Sequence, residues 1–245
     1  MTEALPVATL DPLTLDAADP ADRDRGVCVG APLTGVTVRV AALRPDGSTA
    51  DDLTSDAGVT GEIVVRAPHV KDRYDRLWAT QRASARPAGW HRTGDVGHLD
   101  DRGRLWVEGR LAHVLTTPDG PLPPYAVEQA IESVPGVRRA ALVGVGPVGT
   151  QQVVAVVVPQ GARPDRHLAR QDTSVPPDIA RQVRAAAGVP VAAVLRRDWL
   201  PVDIRHAAKV DRTELARWAT TLLHGRDAAR EAYQHHPKAP SRRSR

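Results

Sequence analysis

Residues 89–97 read Gly-Trp-His-Arg-Thr-Gly-Asp-Val-Gly, and this stretch decides how the chain on either side of it is interpreted. Its end runs into residues 96–99, which are followed by the turn sequence Asp101-Arg102-Gly103 and by a strand-like run at 105–108. Two short runs of this kind around such a turn are typical of a β-hairpin. We therefore predict a hairpin that begins directly after Asp95.

The sequence before this hairpin also favours β-structure. Residues 36–41 alternate with period two and end at the turn Pro45-Asp46-Gly47, and residues 62–66 predict a second strand after a polar loop. The first 25 residues show no clear period and end in the charged run 22–25. We expect an exposed loop there.

The pattern changes after Gly109-Arg110. It predicts two helices and three strands: helices over 125–134 and 178–187, and strands at 140–145, 153–158 and 191–195. The first two of these strands are continuous apolar runs, which are typical of strands buried on both faces. In a last helix, Asp211 can act as the N-cap with Glu214 three residues later, and Gly225 can end it. The fold class is α+β, with a boundary at residues 109–113.

Composition limits the classes of protein that the chain can belong to. It is 42% hydrophobic and 25% charged over 245 residues, which suffices for a packed core. Cys28 is the single cysteine, so an internal disulfide is excluded and a reducing compartment is favoured. No apolar run approaches the ~20 residues of a membrane span, and the N-terminus lacks the basic start of a signal peptide. We expect a cytoplasmic protein with no membrane span.

The net charge of +4 is concentrated at the C-terminus. The six basic and two acidic residues from Gly225 onward account for the whole excess, and residues 225–245 are polar and contain prolines. We expect this tail to be disordered and solvated, and we expect no nucleic-acid partner. Polyanion binding through the tail is kept as an alternative that predicts strong salt dependence.

Three polar stretches could carry chemistry, and each has an ordinary structural alternative. The sequence of residues 93–97 is also typical of a tight turn. Arg110 could be an ordinary surface arginine. Lys209 is one of only three lysines among 33 basic residues, which suggests that a compact, flexible cation is needed there. The alternative for Lys209 is a surface lysine near Asp211.

In their order and spacing, these stretches resemble a known superfamily. The quoted residues 89–97, Gly109-Arg110 with Gly120 and Glu128 behind it, and Leu200-Pro201 followed by Lys209 and Arg212 are similar to motifs of the acyl- and aryl-CoA synthetases, peptide-synthetase adenylation domains and luciferases. Thr2-Glu3 resembles the end of that family's aromatic-Gly-x-Thr-Glu motif. The resemblance runs from Thr2 to about Leu223.

The resemblance implies a role for each site residue. Asp95 would accept hydrogen bonds from both ribose hydroxyls of ATP or AMP, and Arg110 would contact ribose or phosphate. Lys209 would be the catalytic residue that stabilises charge growing between carboxylate and phosphate in the transition state. Thr2 would contact the α-phosphate, and Glu3 would hold the Mg²⁺ that bridges the ATP phosphates.

Three stretches of the sequence resemble one subgroup of this superfamily in more detail. Residues 2–8, 109–113 and 201–209 resemble the bacterial β-lactone synthetases of olefin biosynthesis, which adenylate a 2-alkyl-3-hydroxy acid whose hydroxyl then expels AMP. The chain departs from the superfamily at two positions. Ala112 replaces the usual Asp or Lys at the hinge, and Ala208 replaces the Gly before the lysine. A β-lactone product requires no second substrate, which is compatible with an altered hinge.

The resemblance also implies three parts. Residues 1–108 would be the distal, β-rich part of a truncated AMP-binding domain, residues 109–224 a lid domain carrying the catalytic lysine, and residues 225–245 the basic tail. The chain contains no Lys-Gly or Gly-Lys pair, so the family's phosphate loop and a Walker A loop are both missing. Gly144–Gly149 matches Gly-x-Gly-x-x-Gly, but Pro147 and the next strand favour a hairpin connection over a dinucleotide site.

These observations lead to one main hypothesis and a rival. The chain is expected to be the C-terminal part of an ATP-dependent ligase for a fatty-type carboxylic acid, inactive alone, whose partner would be the missing N-terminal half if that half is separately encoded. The rival is a degenerate, non-catalytic module that binds another protein through exposed apolar surface. No Cys or His spacing fits a metal site.

Overall fold

The computed structural model describes residues 3–11, 26–71, 76–86, 89–162, 173–202 and 210–224. In its first part, the secondary structure is one short helix and seven strands: β1 Ala8–Thr9, β2 Val27–Pro32, β3 Thr37–Ala42, β4 Gly61–Arg66, α1 Trp78–Ser84, β5 Ala85–Arg86, β6 Trp90–Leu99 and β7 Leu105–Arg110. The strands form one sheet in the order β1-β2-β7-β6-β4-β3, and β5 pairs with β6. The predicted β-rich region and its hairpin are confirmed.

One face of this sheet is closed by a small apolar core. It contains Val38, Ile63, Val65, Leu99 and Leu105, together with Ala4. Ala4 is only 1% exposed, and β1 pairs antiparallel with β2. The expectation of an exposed loop was therefore wrong for buried Ala4 and for the strand at Ala8–Thr9, whereas Leu5, at 59% exposed, agrees with it. A strand of two residues is too short to show a period in the sequence, and it forms because tertiary contacts hold it.

The second part begins with a single turn of 3₁₀ helix at Leu111–His113. Its remaining elements are three helices and five strands: β8 Leu115–Thr117, β9 Gly120–Leu122, α2 Tyr125–Glu132, β10 Val137–Val145, β11 Gln152–Pro159, α3 Pro177–Ala187, β12 Ala193–Arg196 and α4 Arg212–His224. β10 pairs antiparallel with β11, and β11 pairs parallel with β12. The α+β class is confirmed. The strand expected at 191–195 lies two residues later at its start.

The three-stranded sheet is buried on both faces, as its continuous apolar runs predicted. Leu142 and Ala155 face a core completed by Ile131 of α2 and Val183 of α3. Their neighbours in sequence point the other way, into a core completed by Leu215 of α4. Because alternate residues of a strand point to opposite faces, both sets of side chains must be apolar. Helices therefore cover both sides of this sheet.

The sequence signals at the loops and helix ends are also confirmed where they can be seen. The backbone N–H of Glu214 donates to the side chain of Asp211 over 2.9 Å, which is the predicted N-cap of α4. Gly225 lies outside the described residues. Val145 pairs with Gln152 across a hairpin, so residues 144–149 connect two antiparallel strands rather than opening a helix.

None of the helices in the described residues combines the length and the apolar character that crossing a bilayer requires.

Asp100 fixes the turn between β6 and β7. Its carboxylate accepts hydrogen bonds from the backbone N–H groups of Arg102 and Arg104 at 3.0 and 2.7 Å, and from the indole of Trp106 at 3.0 Å. The Arg104 guanidinium adds an ion pair at 2.7 Å. Burial alone raises the pKa of Asp100, but these donors outweigh it and hold the pKa below its ordinary value.

We expect Asp100→Asn to destabilise the fold by about 2–3 kcal/mol at pH 7, because a charged acceptor that serves several donors is lost. The folded-state pKa lies below 3.8, the ordinary value, so the carboxylate stabilises fully above that pH. Its contribution disappears as the pH falls through the folded pKa. Denaturant unfolding of both proteins at pH 7 and at pH 2.5 measures this. A difference that persists undiminished at the lower pH contradicts the assignment.

Candidate functional site

Asp95 and Arg110 face each other across the β6–β7 hairpin. They are direct partners in the antiparallel register, and Arg110 Nε lies 2.9 Å from Asp95 Oδ1. The side chains of Asp95 and Arg110 are 24% and 30% exposed, so a solute can reach both. Arg110 also donates to the carbonyl of Thr93 over 3.4 Å. Two residues chosen from separate motifs thus form one accessible, charge-paired unit.

A bulge in β6 presents Asp95. Val64 of β4 pairs with Arg92, whereas Glu62 pairs with Val96, so Ile63 stands opposite the three residues 93–95. Gly94 has a φ of +69°, a conformation that glycine adopts without strain. The Thr93 hydroxyl donates to the carbonyl of Ile63 over 2.8 Å, and it accepts from the backbone N–H of Asp95 at 2.9 Å. The turn-like sequence of residues 93–97 therefore folds as a bulge in a strand.

Glu62 lies beneath this bulge and was not predicted to matter. It is 2% exposed, and its carboxylate accepts from Arg92 and from the backbone N–H of Gly94. In sequence it is one polar residue at the start of a strand. Its role depends on the pairing register of β4 with β6, which no local pattern reveals.

Arg110 also lines a cavity of about 230 Å³ that continues into the second part of the chain. Other residues around it are Tyr125 and Glu128 of α2, Arg139 of β10, Arg212 at the start of α4, and Val210, which lies two residues before that helix. Val210 directly follows Lys209 in the sequence. The chain beside the predicted lysine therefore borders the same cavity as Arg110.

Lys209 itself lies outside the described residues, but the chain on both sides of its segment is described. Val202 and Val210 form an isolated antiparallel bridge, and the backbone N–H of Asp211 donates to the carbonyl of Pro201 over 2.7 Å. The residues that flank the segment 203–209 on its two sides are therefore neighbours in the structure. We call residues 201–202 with 210–211 the neck.

An ion pair joins the start of α4 to α2. Arg212 and Glu128, 84 residues apart, make two contacts at 2.5 and 2.8 Å, and their side chains are 11% and 10% exposed. Leu142 of β10 donates its N–H to Glu128 over 2.6 Å and accepts from Arg212 at 2.8 Å. Glu128 and Arg212, which belong to separate motifs of the sequence, are therefore in contact. Because Arg212 directly follows the neck, this ion pair connects the neck to β10.

The remaining predicted residues are Thr2 and Glu3. Thr2 lies outside the described residues. Glu3 is half-buried, and its carbonyl accepts from the backbone N–H of Lys71 at 2.9 Å. Burial lowers the pKa of nearby His91, Lys71 lowers it further, and Glu3 acts in the opposite direction. Glu3 therefore lies close enough to His91, near the start of β6, to affect its pKa, and its backbone is tied to Lys71.

The described residues contain no group of three or more His, Cys, Asp or Glu side chains that could hold a metal ion alone. Magnesium commonly binds through one or two carboxylates together with substrate phosphates. A single carboxylate such as Glu3 fits that second mode.

Ala112, which replaces the usual Asp or Lys at the hinge, lies in the segment directly after Arg110. Leu111–His113 forms the 3₁₀ turn, and Ala112 is exposed. An exposed alanine offers neither a charge nor a hydrogen bond to either neighbouring part of the chain.

Comparison with known proteins gives consistent similarities. The olefin beta-lactone synthetase of Xanthomonas campestris pv. campestris is 40% identical over 235 residues, which cover 89% of this chain and 41% of that protein. The protein of the same name from Stenotrophomonas maltophilia is 36% identical over 239 residues, covering 92% and 42%. The crystal structure of ATP-bound MatB from Rhodopseudomonas palustris matches with a TM-score of 0.60 and 25% identity over 80% of this chain and 36% of that one.

No protein-family model matches the chain. The chain spans about two-fifths of the length of the curated relatives that it matches.

We expect Glu128→Gln to destabilise the chain by about 3–5 kcal/mol, because it leaves the buried guanidinium of Arg212 without a counter-charge. The matched control is Glu132→Gln on the same helix, whose partner Arg139 is 59% exposed. That pair should contribute less than about 1 kcal/mol. Chemical denaturation measures both. Equal losses in the two variants contradict the account of the Glu128–Arg212 pair.

Proposed function

Because the chain belongs to the superfamily of AMP-binding, adenylate-forming ligases, we propose that it contributes the ribose-binding residues and the catalytic lysine of an acid-activating enzyme. One observation carries this proposal. Arg110, which is paired with the accessible Asp95, lines a cavity that is also bordered by Val210, the residue after Lys209. This arrangement supports a single site that gathers residues from both parts of the chain.

Asp95 fits the ribose of a nucleotide. A carboxylate has about four acceptor positions, so it can bind two hydroxyl groups while it remains paired with a guanidinium. The pair is partly exposed, and the glycine before Asp95 lets the ligand approach the backbone. Arg110 then offers further donors to ribose or phosphate oxygens, for which its planar fork is suited.

Lys209 supplies the charge that the reaction requires. In adenylation, a carboxylate oxygen of the acid attacks the α-phosphorus of ATP, and the bond to pyrophosphate breaks with its electrons leaving on pyrophosphate. Negative charge accumulates on the α-phosphate oxygens as the new bond forms, and an ammonium group beside them lowers the barrier. The neck keeps the ends of the lysine's segment together and anchored to the fold beside the Arg110 cavity.

Glu3 and Thr2 complete the proposed phosphate end. Magnesium would neutralise the triphosphate, and Glu3 would hold it with help from phosphate oxygens. The described backbone of Glu3 is tied to Lys71 beside β6. This contact supports a fixed backbone at Glu3, from which its carboxylate would reach the metal.

For the acid, we propose a fatty-type substrate, in particular a 2-alkyl-3-hydroxy acid. The support is the name of the two curated relatives, olefin beta-lactone synthetase. In such an acid, the hydroxyl attacks its own activated carbonyl, and AMP leaves as the four-membered ring closes. The exposed Ala112 at the hinge is compatible with a reaction that requires no second substrate.

The chain alone is proposed to be inactive, because it contains no Lys-Gly or Gly-Lys pair of a phosphate loop. Its partner in catalysis would be the part of the relatives that it does not span. The first sheet ends at Arg110 and the 3₁₀ turn begins at Leu111, two residues past the proposed division into residues 1–108 and 109–224, so the described elements support that division to within two residues. A non-catalytic protein-binding module is not favoured, because the curated relatives carry enzyme names.

Replacement of the proposed catalytic lysine tests this function. The chain is fused behind the unmatched N-terminal portion of the Xanthomonas relative, and acid-dependent ATP–pyrophosphate exchange is measured. Lys209→Ala should lower kcat at least about 100-fold, which corresponds to ~2.7 kcal/mol of lost transition-state stabilisation. Lys238→Ala in the tail is the control and should leave the rate unchanged. If the hybrid is active and Lys209→Ala does not lower its kcat, Lys209 is not the catalytic residue.

The ribose assignment predicts a different kinetic change. Asp95→Asn keeps the shape of the side chain but removes the charge that strengthens its hydrogen bonds, so the KM for ATP should rise about tenfold or more in the same hybrid. Asp119→Asn, at an exposed turn of the second part, serves as the control. An unchanged KM for ATP in the Asp95 variant refutes ribose binding by this residue.

A further inference from the structure

Glu62 is a buried carboxylate in a strand whose next three residues are apolar. It is 2% exposed in β4, and the next residues, Ile63, Val64 and Val65, are all buried. Burial of a charge costs free energy unless the charge is paired and hydrogen-bonded. Replacing such a pair by apolar residues is often neutral or stabilising, so packing alone gives little reason for a glutamate at this position.

The partners of Glu62 are the two residues on either side of Thr93. One oxygen, Oε2, accepts from Nε and Nη2 of Arg92 at 2.8 and 2.7 Å. The other oxygen, Oε1, accepts from the backbone N–H of Gly94 at 3.3 Å. The carboxylate therefore spans the bulge from below, and each of its oxygens has its own task.

This contact replaces hydrogen bonds that the bulge removes from the sheet. Where three residues oppose one, the regular ladder between β4 and β6 is interrupted. The Gly94 N–H has left the ladder and turns to Glu62, while Thr93 and Asp95 are linked through the Thr93 hydroxyl. The position of Asp95 then depends on what holds Gly94.

We propose that Glu62 is a positioning residue of the nucleotide site, which clamps the bulge so that Asp95 meets both Arg110 and the ribose. This inference rests on the proposed function, because it assigns Glu62 an effect exerted through Asp95. Glu62 touches neither ligand nor reacting atoms. It sets the backbone angle from which the Asp95 carboxylate projects.

A glutamine at position 62 separates the two tasks. It keeps the size of the side chain but has one oxygen, which the two donors of Arg92 will occupy. Its NH₂ group then faces the Gly94 N–H, a donor against a donor, and that hydrogen bond is lost. The matched control is Glu108→Gln on β7. Glu108 is also buried to a large extent, and it occupies the neighbouring irregularity of β7 opposite Val96 and Gly97. Its side chain pairs with His98 at 2.7 Å and with Thr60 at 2.9 Å, and neither partner belongs to the bulge at residues 93–95.

Amide hydrogen exchange on the full chain gives the direct test. In Glu62→Gln, the Gly94 amide should exchange about tenfold faster or more than in the wild type, and the Asp95 amide should follow it. Glu108→Gln should leave both amides unchanged. Unchanged exchange at Gly94, or equal acceleration in the two variants, overturns the proposal. If Glu62→Gln does not fold, Glu62→Asp replaces it, since the shorter side chain keeps the charge but withdraws from Gly94.

The kinetic test uses the hybrid enzyme and ATP. Glu62→Gln should raise the KM for ATP about tenfold with a smaller change in kcat, and Glu108→Gln should change neither. If Asp95→Asn raises this KM but Glu62→Gln does not, Glu62 does not position Asp95, and the assignment of Asp95 to the ribose is retained. If Asp95→Asn does not change this KM, Asp95 does not bind the ribose. Glu62 then has no role in nucleotide binding, even if Glu62→Gln accelerates exchange of the Gly94 amide.

Discussion

The pairing of β6 with β7 is the constraint on which the rest of the molecule depends. Arg110 is the last residue of the large sheet, and the chain leaves it directly for the second part. The register that opposes Asp95 to Arg110 therefore also sets where the second part starts. A slip of one residue would turn every side chain of the strand to the other face and separate the two charges. Asp100 at one end of the hairpin and Glu62 beneath the other end both oppose such a slip.

The three-stranded sheet of the second part needs apolar side chains on both of its faces, because helices cover it from both sides. α2 and α3 close one face and α4 closes the other. α4 begins at the neck, so the packing of Leu215 and Ala219 on the sheet also fixes the point at which the segment containing Lys209 rejoins the fold. The stability of this part and the placement of its proposed catalytic residue come from the same contacts.

Much of this architecture could be predicted from the sequence because its signals are local. The hairpin around Asp101-Arg102-Gly103, the continuous apolar runs of β10 and β11, and the Asp211 cap each need only a few neighbouring residues. The short strand β1 has no such signal, since two residues cannot show a period.

The site was predicted only as separate residues. The pairing of Asp95 with Arg110 follows from a strand register, and that of Glu128 with Arg212 joins positions 84 residues apart. Glu62 was missed for the same physical reason. Its significance comes from an irregularity in the strand opposite, which changes which backbone N–H groups need an acceptor.

The neck has a further consequence for how this protein can vary. Since Val202 and Val210 are bridged and the N–H of Asp211 donates to the carbonyl of Pro201, described backbone contacts hold the two ends of the interval 203–209 together. Loop closure costs only about 0.6 kcal/mol more for each doubling of length. A change in the length of this interval should therefore cost the fold little free energy, provided that the four residues of the neck are kept.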